Sequence, residues 1–185
     1  ICEGLVGSEM CIRDRPIKSE YKIDDMADDG IQLLETLKIE KAHIFSTSMG
    51  GMIAQIISAQ YPEKVKTFTL IASTASTPSP INAPTKAVRE IMLQRSKNPN
   101  ASYDEIIKRE IKMVSLIGME GREVDTPEFR KETIENLGRS KDGSGYARQL
   151  LSILASKDRL KKIKKIKAPT LIIHGKDDPM IHCLL

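Results

Sequence analysis

A short apolar run, Ala42-His43-Ile44-Phe45, feeds Ser46-Thr47-Ser48-Met49-Gly50-Gly51. The chain then passes at once into Met52, Ile53, Ile56, Ile57 and Ala59 at helical spacing. This junction constrains the fold more than any other stretch. A strand that becomes a helix so abruptly must bend sharply, and side chains close to the bend have to be small to clear the neighbouring strand and helix. Gly50 meets that demand two residues after Ser48, and Ser46 meets it two residues before. The turn predicts a strained backbone at Ser48, with its hydroxyl lifted above the end of a sheet. It also sets Ser48 at a helix N-terminus, where free backbone N–H groups favour negative charge.

The flanking segments alternate. Ile23 to Leu37 reads as a helix, with Ala27, Ile31, Leu34 and Leu37 at helical spacing and Asp24 and Asp25 in the first turn. Tyr61-Pro62 closes the helix after Ser48, and Val65 to Ala72 is a strand rich in β-branched and aromatic residues. Such alternation predicts an α/β fold with a parallel sheet covered on both faces. The pattern then changes. Pro78, Pro80 and Pro84 mark a linker, and Thr85 to about Lys157 reads as helical. Ser102 with Glu105 is a capping-box signature, and Thr126-Pro127 is an N-cap with proline in the first turn. Gly143-Ser144-Gly145 breaks the series before Tyr146 to Ala155. The strand pattern resumes at Ala168 to Ile173 and runs into His174-Gly175-Lys176-Asp177-Asp178-Pro179. A long helical insertion between two strands of one sheet is how a lid is built.

The 185 residues suit one domain. No apolar stretch approaches the ~18 residues of a membrane span, so no membrane partner is expected. The net charge of +4 is spread along the chain. Its densest run, Lys161 to Lys167, reads as a solvated face carrying Ile163 and Ile166 inward. With 4% aromatics and no recognition motif, nucleic acid is not an expected partner. The ends read differently. Leu5 to Arg15, LVGSEMCIRDR, resembles the conceptual translation of a sequencing-library adapter, and Cys183-Leu184-Leu185 resembles the start of the same adapter read in the other direction. Residues 1–15 and 183–185 are therefore expected to be non-native tails, and no signal peptide is expected in them. Setting them aside removes Cys2, Cys11 and Cys183, and with them any disulfide or thiolate–metal reading, which favours a cytoplasmic protein. The expected organisation is a core over residues 16–76, a helical cap over 77–158 and a return to the core over 159–182.

Ser46-Thr47-Ser48-Met49-Gly50 nearly matches G-x-S-x-G, the nucleophile elbow. A serine hydroxyl becomes a good nucleophile when a histidine takes its proton and a carboxylate orients that histidine. Asp178 stands in the loop after the second strand pattern, matching the chain order serine, acid, histidine. The N–H of Met49, the residue after the nucleophile, is the candidate oxyanion donor. Together SMGGMIAQ, YPEKV and PTLIIHGKDDP resemble the α/β-hydrolase superfamily. IDDMADDG and GYARQLLSILASKDR narrow the resemblance to aclacinomycin methylesterase-like or proline-iminopeptidase-like hydrolases, over roughly Tyr21 to Ile181. The resemblance implies a partial α/β-hydrolase fold, a parallel sheet fragment with a helical cap inserted between strands, and Ser48 and Asp178 as catalytic residues. It further implies a second oxyanion donor from sequence before Pro16 and a histidine from sequence after Leu185. Ser46 departs from the family's usual glycine.

Each residue also has a plainer reading. Ser48 fits a structural elbow in a non-catalytic relative, and Asp178 fits a solvated turn beside Pro179, with Asp177 as the rival acid. His174 precedes the acid and reads as structural rather than as the base; His43 lies on the wrong side of the nucleophile, and His182 borders the tail. Met92, Met113 and Met119 read first as core filling, with the lining of a substrate cavity as the alternative. The expected function is a carboxylic ester hydrolase working through a Ser-His-Asp triad and an acyl-enzyme. Its expected partner is a small-molecule ester, and the chemistry calls for no metal or organic cofactor. A proline iminopeptidase is the enzyme alternative, and a non-catalytic ligand-binding relative is the alternative of another class.

Overall fold

The computed structural model describes residues 21–76, 83–97, 101–118, 120–139 and 145–183. Of the expected tails 1–15 and 183–185, residues 1–15 and 184–185 lie outside these residues, as do Pro78, Pro80, Met119, Gly143 and Ser144. Three parallel strands, β1 (Ala42–Thr47), β2 (Val65–Ile71) and β3 (Thr170–Ile173), form a sheet in the order β1-β2-β3. Helix α1 (Ile23–Thr36) precedes β1, and α2 (Ser48–Gln60) crosses from β1 to β2 through a single 3₁₀ turn, Pro62–Lys64. Between β2 and β3 run α3 (Lys86–Lys97), α4 (Tyr103–Ile117), α5 (Pro127–Arg139), α6 (Gly145–Leu154) and the short α7 (Leu160–Ile163).

Local chemistry explains the boundaries. The Lys22 N–H donates to Asp25 Oδ2 at 2.6 Å at the start of α1, while Asp24 pairs instead with Lys162 on α7. At the start of α4 the capping box closes both ways, Glu105 N to Ser102 Oγ at 3.3 Å and Ser102 N to Glu105 Oε2 at 2.8 Å. Thr126 Oγ1 accepts the Phe129 N–H at 3.2 Å and caps α5. Two boundaries differ from expectation. β1 runs two residues past the apolar stretch, through Ser46 and Thr47, because β2 pairs with it as far as Ile71. Helix α6 begins at Gly145, one residue before the expected Tyr146.

Phe68 and Leu70 on one face of β2 pack with Ile23, Ala27 and Ile31 of α1 and Met52, Ile56 and Ile57 of α2. Burial of each of the larger of these side chains, Ala27 excepted, stabilises by about 1.5–3 kcal/mol. Ile163 and Ile166 are half-buried while Lys161, Lys164, Lys165 and Lys167 stay in solvent, as the lysine run predicts. The other face of the sheet corrects an expectation. The register aligns Phe45 with Thr69 and Leu171, and Ile71 with Ile173, yet Phe45 is 74% exposed and Leu171 57%. Among the described residues β1 and β2 are covered on one face only, and β3 is exposed along its length, Ile172 beside buried Leu70 included. The β1–β2 crossover supplies α2 to that face, and the return to β3 supplies α7, which packs on α2 as well. No helix among the described residues is long and apolar enough to cross a membrane.

Candidate active site

Ser48 is the first residue of α2 and has φ +50°, in the left-handed region. A non-glycine residue there is uncommon and costs about 1–3 kcal/mol, so the surroundings must hold it. Ser46, at the end of β1, is buried, and its hydroxyl donates to the Thr69 carbonyl at 3.1 Å. The Ser73 hydroxyl donates to the Ser48 carbonyl at 2.7 Å. Gly51 presses directly under the loop after β2: a Cβ there would lie 2.5 Å from Leu70 Cδ1 and 2.6 Å from Ser73 Cβ. The crowded glycine is therefore Gly51 and not Gly50, where an added Cβ meets nothing within 4 Å. One step along a helix turns the side-chain direction by about 100°, so Gly51 faces the sheet and Gly50 faces away from it. Ser46, buried at the end of β1, uses its hydroxyl to tie β1 to β2.

Because all three strands are parallel, Ser48 after β1 and Asp178 after β3 lie at the same end of the sheet, with β2 between them. Asp178 is turned into its own loop. Its Oδ1 accepts the N–H groups of Met180 and Ile181 at 2.8 and 3.0 Å, and its Oδ2 lies 3.5 Å from His174 Nε2. His174 Nε2 is 2.7 Å from the Ile181 carbonyl. A carbonyl only accepts, so this nitrogen carries the proton and donates it. His174 thus closes the Asp178 loop and offers no base to Ser48 through that atom. His43 sits on the exposed sheet face against Thr67 Oγ1, at 2.8 Å, and His182 Nε2 lies 3.1 Å from the Ala83 carbonyl.

A cavity of about 220 Å³ opens between the elbow and the helical insertion. Ser48 and Met49 of the elbow line it, as does Met180 of the Asp178 loop. Met92 on α3, Met113 on α4 and Leu150 on α6 line it from the insertion. Met92 and Met113 therefore line the cavity, the alternative to core filling. Arg109 and Glu110 of α4, with Tyr146 and Gln149 of α6, add polar groups to an otherwise apolar wall. None of the three histidines reaches this lining.

The model of the alpha/beta hydrolase fold family matches residues 10–182. The chain belongs to the α/β-hydrolase family. Rhodomycin D methylesterase of Streptomyces peucetius is 22% identical over 174 residues, covering 86% of this chain and 58% of that protein. A 2-hydroxy-6-oxononadienedioate/2-hydroxy-6-oxononatrienedioate hydrolase of Burkholderia vietnamiensis is 28% identical over 152 residues, covering 80% of this chain and 50% of that protein. The crystal structure of a meta-cleavage product hydrolase from Pseudomonas fluorescens, 24% identical, superposes with a TM-score of 0.66 over 92% of this chain and 59% of that one. At this identity the likeness shows the fold. The chain spans about half the length of the curated relatives it matches.

Three residues that matter to this α/β-hydrolase elbow escaped the sequence reading. Gly51 stands inside SMGGMIAQ but was given no role there, and Ser73 had no motif to announce it. Arg159, just before the lysine run, was given no role, yet it is 3% exposed. Its backbone N–H donates to the Ala75 carbonyl at 2.8 Å and its Nη2 to the Thr74 carbonyl at 2.9 Å. Burial pushes its guanidinium below the usual arginine value, and Asp24 and Asp158 partly restore it. The signal available was its place at the end of GYARQLLSILASKDR, one of the stretches that carry the family resemblance.

Proposed function

We propose that the whole protein carrying this chain is a serine hydrolase acting on carboxylic esters, with Ser48 as nucleophile. The observation that carries the reading is the strained Ser48, at φ +50° on a helix N-terminus, lining a largely apolar cavity. Relatives named as a methylesterase, an enol-lactonase and a monoacylglycerol lipase support an ester, beside others named as hydrolases of oxo-dienoate compounds. In this reading the Ser48 Oγ attacks the ester carbonyl while a histidine takes its proton. The oxyanion gathers on the Met49 N–H and a second donor, and the alcohol departs with the proton returned by the histidine. Water then cleaves the acyl-enzyme by the same route. Asp178 orients the histidine, which together with the second donor comes from the length that the relatives have beyond this chain. Helices α3 to α6 act as the cap, and the methionines suit a flexible apolar acyl or alcohol group.

The test is hydrolysis of p-nitrophenyl butyrate by the whole protein and its Ser48→Ala variant. Turnover should fall by at least about 10³-fold with the fold intact, as loss of a nucleophile leaves only binding and oxyanion contacts. Unchanged turnover would remove Ser48 as the nucleophile.

A further inference from the structure

We propose that Ser73 is a positioning residue that aims the Met49 N–H at the oxyanion, an inference that rests on the reading of Ser48 as nucleophile. The peptide linking Ser48 to Met49 is one rigid plane, and across a trans bond its C=O and N–H point in opposite directions. Whatever fixes the Ser48 carbonyl therefore fixes the direction of the Met49 N–H. The Ser73 hydroxyl donates to that carbonyl at 2.7 Å, from a residue only 6% exposed. The Met49 N–H is among the first N–H groups of α2, which have no acceptor within the helix, and Met49 lines the cavity.

The loop that delivers Ser73 is pinned on both sides. Ala72 turns out of β2 with φ +44° and its N–H donates to the Ile173 carbonyl at 3.0 Å. Thr74 is held by Arg159. Gly51 leaves room for the Ser73 side chain to lie against the first turn of α2. The hydroxyl is thus fixed against strand and helix before substrate arrives, which is the condition under which an oxyanion donor lowers a barrier. A bond to the carbonyl end also polarises the peptide and strengthens its N–H as a donor.

The experiment uses the whole protein with p-nitrophenyl butyrate, kcat being expressed per titrated active site, and with butylboronic acid, which adds to serine as a tetrahedral anion. Ser73→Ala should lower kcat about tenfold, a fraction of the 10²–10³-fold loss typical when an oxyanion donor is removed. KM should stay within about twofold, and boronic acid affinity should weaken by the same factor as kcat. Ser73→Cys, close in size and a weak donor, should show the same fall, so an unfolded alanine variant does not end the test. A normal kcat per titrated site in either variant, with fewer titratable sites or a lower melting point, would mean structural support only and overturn the proposal. Ser48→Ala is run beside them. Turnover that survives it removes the nucleophile reading and this proposal together. Turnover lost in Ser48→Ala but untouched in the Ser73 variants removes this proposal alone.

Discussion

Arg159, where the chain returns from the helical insertion, donates through Nε to Gln55 Oε1 on α2 at 3.0 Å. The same guanidinium holds the Thr74 carbonyl, where the chain leaves β2 for the insertion. One side chain therefore fastens both ends of the insertion to the helix that begins at Ser48.

The first prediction follows from that fork. Arg159→Met keeps the stem but strands the Gln55 and Thr74 oxygens in a site where Arg159 itself is buried. Leaving buried acceptors without their charged donor costs about 2–3 kcal/mol. Arg159→Lys should not rescue, because an ammonium on a flexible stem cannot reproduce the planar fork. Urea unfolding of the whole protein measures both, and a midpoint that does not move in Arg159→Met counts against the role.

The two elbow glycines should part company. Gly51→Ala forces a Cβ to 2.5 Å from Leu70 Cδ1 and 2.6 Å from Ser73, and overpacking of this kind costs about 1–3 kcal/mol. Gly50→Ala meets open space inside a helix and should be neutral or gain up to about 1 kcal/mol in helix propensity. Thermal melts of the two variants in parallel decide it. Equal effects would mean that the elbow is not packed as described.

The elbow also shows how far sequence reasoning reached. The bend at Ser48 was legible because strand, small residues and helical face follow one another within a few positions. Which glycine the bend needs was not, since that depends on where Leu70 and Ser73 arrive from twenty residues away. Local signals such as Ser102 with Glu105 and Thr126-Pro127 were read correctly because a helix cap is complete within four residues. The alternation of elements foretold a parallel sheet, but coverage of its second face needs partners that no local pattern encodes. Asp178 was placed at the right end of the sheet by strand order, whereas its bonds to Met180, Ile181 and His174 are made by a loop without periodicity.

Acid should act on α4 through its cap. The Ser102 N–H and hydroxyl donate to Glu105 and hold its carboxyl below the usual glutamate range. A carboxyl whose folded pKa is depressed contributes stability that is complete above its unfolded value, about 4.3. That contribution is lost as pH falls through the lower folded value. Glu105→Gln lacks the charge at every pH, so its deficit relative to the parent should be present at pH 7 and close as pH drops below about 4. A deficit that stays constant down to acid would show that the carboxylate form contributes nothing.

The last prediction turns on the open face of the sheet, where Phe45, Leu171 and Ile173 are 74%, 57% and 47% exposed. β1 and β3 each lack a partner on their outer side among the described residues, so an apolar face lies between two free edges. Surfaces of this kind drive association. The 185-residue chain by itself should therefore self-associate, and Phe45→Glu should lower the association measured by light scattering. Here the substitution places a charge in solvent and costs the fold little. In a protein of the relatives' length the expectation reverses. Parallel sheets occur almost only with both faces covered, so the added chain should lie over Phe45. Phe45→Glu would then bury an unpaired carboxylate and lose the aromatic packing, and the protein should unfold or fail to accumulate. One substitution thus has opposite signs in the two lengths. The same small effect in both would mean that this face stays open to solvent in the whole protein.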